Sequence, residues 1–137
     1  MLRKHAELLA DAGVDVIFFD CTNGTATWDE SYEALFEMFE SAKEDGVNVP
    51  QVAFMLTFWD GSDTSVTLKN LYDRVYSKGL YEDLWFLWDG KPLVMAHPEY
   101  LDKADPAQKE LLDFFTFRAN DPGYFSGDKE YKQKVWG

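Results

Sequence analysis

The apolar residues of this chain switch repeatedly between two spacings. Leu2, His5, Leu8, Leu9 and Ala12 share one helical stripe, and Gly13 follows as a C-cap, predicting a helix over 2–12. VDVIFFD (14–20) is then almost continuously apolar, as a strand covered on both faces should be. After the turn-rich loop CTNGTATW, Asp29 is expected to cap a helix whose stripe is Tyr32, Leu35, Phe36, Phe39 and Ala42, ending at Gly46. The unit repeats: Pro50, the strand QVAFMLTF (51–58), the loop WDGSD, and a helix over 64–78 with Leu68, Leu71, Tyr72, Val75 and Tyr76 on one face. LWFLW and PLVMA flank an Asp89-Gly90 pair, which predicts a hairpin: a parallel strand at 92–96 with an extra antiparallel strand leading in. Asp105, Pro106 and Gln108 form a helix start, and a short helix leads to a last strand in DFFTFR. Residues 119–137 are polar and aromatic without a clear period.

This alternation predicts an α/β fold with three to four strand–helix units and parallel strands. Such strands all point their C-terminal ends one way, where these folds place their sites. Four apolar runs stop there at residues able to do chemistry: VDVIFF at Asp20, QVAFMLTF at Trp59 and Asp60, PLVMA at His97, and DFFTF at Arg118. Either a small open parallel sheet or part of a (β/α)8 TIM barrel fits; a whole barrel takes about 250 residues. The 137 residues are expected to be one domain, an incomplete segment of such a barrel, with Met1 an internal methionine.

Charge narrows the partners. With 25 acidic against 13 basic residues, the formal charge is −12, and Lys and Arg form no cluster. Nucleic acid, anionic membranes and polyanionic substrates are disfavoured, because each needs a basic face. No apolar run approaches the roughly 20 residues that span a bilayer, and the opening MLRKHAELLADAGVD has no continuous apolar core of a signal peptide. Cys21 stands alone, and the two histidines leave no metal site to build, so no cofactor is expected. An acid beside Cys21 raises its pKa, which argues against a nucleophilic thiol. The 17% aromatic content includes five Trp, several of them in loops, where indole faces suit sugar rings.

The strand-end residues admit two roles each. Asp20 is either pocket-lining or the cap of the following turn. Asn23 offers hydrogen bonds to a sugar hydroxyl, but Asn-Gly is also a plain turn signal. Trp59 and Asp60 pair a stacking face with an acceptor. His97 is a binding residue or a hydrogen-bonded structural one. Arg118 is a donor fork that orients a carboxylate or bridges Asp20 or Asp60.

Taken together, HAELLADAGVDVIFFDCTNG, YEALFEMFESAKEDGVNVPQVAFML, LYDRVYSKGLYEDLWFLWDGKPLV and FFTFRANDPGYF resemble the catalytic barrel of glycoside hydrolase family 71/99-like proteins. The resemblance covers nearly the whole chain. It implies hydrolysis of α-linked glycans, as by endo-α-mannosidases and α-1,3-glucanases, in a secreted or periplasmic setting. It also implies an acid pair after later barrel strands. The glutamates here sit on helices or in ordinary loops, so the cleaving carboxylates are expected beyond Gly137. Asp20, Asn23, Trp59, Asp60, His97 and Arg118 would then line the substrate. If the chain carried its own chemistry, Asp20 and Asp60 would be the pair. A non-catalytic carbohydrate-binding domain is the alternative, and an unrelated doubly wound domain a third.

Overall fold

The computed structural model of the protein describes residues 1–58 and 63–119. Its elements run α1 (Leu2–Asp11), β1 (Val16–Cys21), α2 (Asp29–Glu44), β2 (Gln51–Leu56), α3 (Thr64–Arg74), β3 (Leu87–Trp88), β4 (Lys91–Met95), α4 (Pro106–Phe114) and β5 (Thr116–Arg118). Strands β1, β2, β4 and β5 are parallel and lie side by side in chain order, while β3 pairs antiparallel with the start of β4. The predicted hairpin is thus present. Asp89 and Gly90 both take positive φ, 53° and 77°, as the mirror-image turn of a tight hairpin requires.

Alternation along each strand sorts the side chains onto two faces. Cys21, Val52, Phe54, Leu56 and Val94 enter one continuous core with Ala6 of α1, Tyr32, Phe36 and Phe39 of α2, Leu68 and Leu71 of α3, and Leu111 of α4. All four described helices therefore contribute to the core on the same side of the sheet. That follows from chain-order strands joined by right-handed crossovers, each of which drops its helix on the same face. A doubly wound sheet would carry helices on both. Phe54 is the centre of the core, with the rings of Phe19, Tyr32, Phe36, Tyr76 and Trp85 around it at centroid distances of 5.5–6.4 Å.

The opposite face carries two rows. Phe18 pairs with Ala53 and Leu93 with Thr116; one step nearer the strand C-termini, Asp20 pairs with Met55 and Met95 pairs with both Met55 and Arg118. Phe18 is 39% exposed there, an apolar ring that the described helices do not cover.

The helix stripes of α2 and α3 bury as read from the sequence. That of α1 does not: Leu2, Leu8 and Leu9 are exposed, and the buried residue of α1 is Ala6. The helix predicted to 78 stops at Arg74, and a separate 3₁₀ turn spans Tyr76–Lys78. The bend seats Tyr76 between Trp85 and Phe115, at 4.4 and 4.8 Å. Asp113 and Phe114 belong to α4, so the last strand is shorter than DFFTFR. Among the described residues, no helix is long and apolar enough to cross a membrane.

Candidate functional site at the strand ends

Asp20 is the penultimate residue of β1, exposed on the helix-free face. Its Oδ1 accepts the Thr22 N–H at 2.9 Å, so it closes a small turn at the strand end. That bond uses one lone pair and leaves most of the carboxylate in solvent, so the capping role and a ligand-facing role coexist. Asn23 follows in the same loop, exposed, its carbonyl accepting the Ala26 N–H at 3.3 Å. Thr67 Oγ1 donates to the Gly24 carbonyl and ties this loop to α3.

His97 lies two residues past the end of β4 and is buried. Its Nδ1 lies 3.2 Å from Glu99 Oε1 and its ring sits 5.2 Å from that of Tyr100. The Glu99 partner carries no obvious sequence signal, because it lies only two residues away in a turn. Trp59 and Asp60 lie outside the described residues.

Arg118 is on the same row and face as Asp20, but at the other edge of the sheet. Three interstrand spacings of about 4.8 Å each separate the two backbones. The expected bridge from Arg118 to Asp20 is therefore not formed; distance forbids it. Instead the guanidinium is drawn toward the β3–β4 hairpin. It lies 5.3 Å from the centre of the Trp88 ring, Nη2 is 3.6 Å from Asp89 Oδ2, and Nη1 donates to the Phe117 carbonyl at 2.8 Å. Its Nε is buried with no hydrogen-bond partner among the described residues. Arg118 thus pins the hairpin to the last strand. Thr116, whose hydroxyl donates to the Trp88 carbonyl at 2.6 Å, helps it.

Cys21, one residue past Asp20, points the other way, into the core. Burial first, then the carboxylates of Asp20 and Asp29, pushes its thiol up to about 12. It carries no thiolate near neutrality and is no nucleophile. No group of three or more His, Cys, Asp or Glu side chains able to hold a metal ion exists among the described residues.

The loop after β1 also holds a residue that the hydrophobic pattern does not single out. Trp28 ends the loop as the N-cap of α2 in the left-handed region, φ 55° and ψ 45°, with no side-chain capping bond. Cβ crowding makes that conformation cost roughly 1–2 kcal/mol for a non-glycine residue. Asp29, expected as the cap, falls in the first helical turn, where it accepts a bond from the Thr27 hydroxyl.

A groove of about 250 Å³ opens elsewhere, between the N-terminal parts of α3 and α4, lined by Ser65, Val66, Lys69, Asn70, Asp105 and Gln108. It carries none of the strand-end residues. No protein-family model, curated protein or solved structure matches the chain.

Proposed function

We propose that the four parallel strands are part of a (β/α)8-type barrel and that their C-terminal ends bind a neutral α-linked glycan, as in a glycoside hydrolase. The supporting observation is the sheet's one-sidedness. Strands in chain order with helices on a single face match the outer wall of such a barrel, whose interior is the other face. On that face the lower row is apolar or small (Phe18, Ala53, Leu93, Thr116), as a packed barrel interior requires. The upper row brings in Asp20 and Arg118.

Hydrolysis needs two carboxyl groups roughly 5–9.5 Å apart. Asp20 is the sole carboxylate of its row, since its companions are Met55, Met95 and Arg118. The described part of the chain therefore forms binding wall, with Asp20 and Asn23 accepting and donating hydrogen bonds to sugar hydroxyls. The same single carboxylate favours the second reading, a carbohydrate-binding domain without turnover.

Calorimetric titration with α-1,3-linked glucotetraose and an α-linked mannotetraose, together with product chromatography, tests both. Binding that disappears in Asp20→Asn with an unchanged unfolding midpoint supports the site; released sugar adds hydrolysis. No binding of either oligosaccharide, or full binding by Asp20→Asn, would sink it.

A further inference from the structure

Among the described residues, three non-glycine residues take the left-handed conformation: Trp28, Tyr81 and Asp89. Two are accounted for by the fold. Asp89 occupies a hairpin turn that demands positive φ, and aspartate tolerates it well. Tyr81 packs its ring on Phe36 at 5.3 Å and near Trp85 at 6.4 Å, so core contact offsets its strain. Trp28 has neither excuse. Its side chain is half exposed, it has no ring contact among the described residues, and its indole caps nothing. Asparagine accepts left-handed geometry at less cost than tryptophan. Strained residues that the fold does not need cluster at ligand clamps.

We propose that Trp28 is a stacking platform for a sugar ring at the rim of the strand-end site. It stands in the loop that begins at Asp20 and contains Asn23, so its indole and their polar groups belong to one connection above the C-terminal end of β1. The feature is the indole face, not the amides of the helix end. An indole presents a flat, polarisable surface to the C–H face of a pyranose while its N–H stays in water. The inference rests on the carbohydrate reading and adds a residue and a contact type to it.

The test compares wild type, Trp28→Asn and Trp28→Phe by urea unfolding and by titration with the two oligosaccharides named above. Trp28→Asn should unfold at an equal or higher urea concentration yet bind roughly tenfold more weakly, the loss of one good aromatic contact. Trp28→Phe should retain most of the affinity. Undiminished binding by Trp28→Asn overturns this inference and leaves the strand-end reading standing. A lower unfolding midpoint for Trp28→Asn also overturns it, because the ring would then be held for the fold. Failure of wild type to bind either sugar overturns both.

Discussion

Asp20 and Arg118 mark the two edges of one row on the helix-free face of the sheet, with Met55 and Met95 between them. They look like an ion pair in the sequence and are not one in the fold. Arg118→Met removes the cation over Trp88 and the contact with Asp89, and should cost roughly 1–2 kcal/mol. Asp20→Asn should change stability little. Because the sites are far apart, the double variant should be additive within about 0.5 kcal/mol in urea unfolding. A larger coupling would mean that the two side chains meet.

Phe54 is nearly inaccessible and touches rings from β1, α2 and the segment before β3. Phe54→Ala should cost about 3–5 kcal/mol, a large share of the 5–15 kcal/mol typical of a domain. Near-ultraviolet circular dichroism should lose its aromatic signal. Retention of that signal with a small stability change would place the core's centre elsewhere.

At the hairpin, a Cβ added to Gly90 would meet nothing within 4 Å, so the cost of Gly90→Ala is conformational alone. With φ at 77°, it should be roughly 1–2 kcal/mol. Asp89→Asn should be close to neutral, since asparagine accepts the same turn and the Asp89 carboxylate is mostly in solvent. An unchanged midpoint for Gly90→Ala would show that another turn type replaces this one.

The Cys21 thiol is held neutral by burial to about 12, above its unfolded value of about 8.5. Its contribution is therefore fully present below about pH 8.5 and is lost as pH rises toward the folded value. Unfolding free energy should fall across that window, and fall less in Cys21→Ala. Disulfide reagents at mildly alkaline pH should label Cys21 only as the protein opens. Fast labelling of the folded protein would contradict the burial.

Much of the architecture is legible in the sequence, because its signals are local. Continuous apolar runs bounded by glycine and proline give β1, β2 and β4. Asp89-Gly90 gives the hairpin, and Asp105 caps α4 by accepting the Ala107 N–H at 2.9 Å, with Gln108 reaching back to it. What is not legible depends on neighbours. That Ala6 is buried while Leu2, Leu8 and Leu9 stay exposed depends on where α1 lies against its neighbours, which no periodicity reveals. Arg118 finds Asp89 and Trp88 across 29 and 30 positions of chain, through the strand pairing. At the site, Asp20 and Asn23 stand where a strand end predicts. The backbone of Trp28 carries no signal, since tryptophan is among the last residues a left-handed position would be assigned.

The chain order of the strands also governs how this protein acquires its structure. Each parallel strand pairs with the one made just before it, and the helix between them packs on the same core. The paired residues are nonetheless well separated along the chain, as Val16 and Gln51 or Phe54 and Val94 are. Parallel pairing of this kind is slow, because each loop must close before its contacts form. During synthesis, β1 and β2 can pair around α2 before β4 leaves the ribosome, and each later strand adds to an edge already in place. The sheet grows like a row extended from one end, each step waiting for the intervening helix to bring the next strand back to the edge.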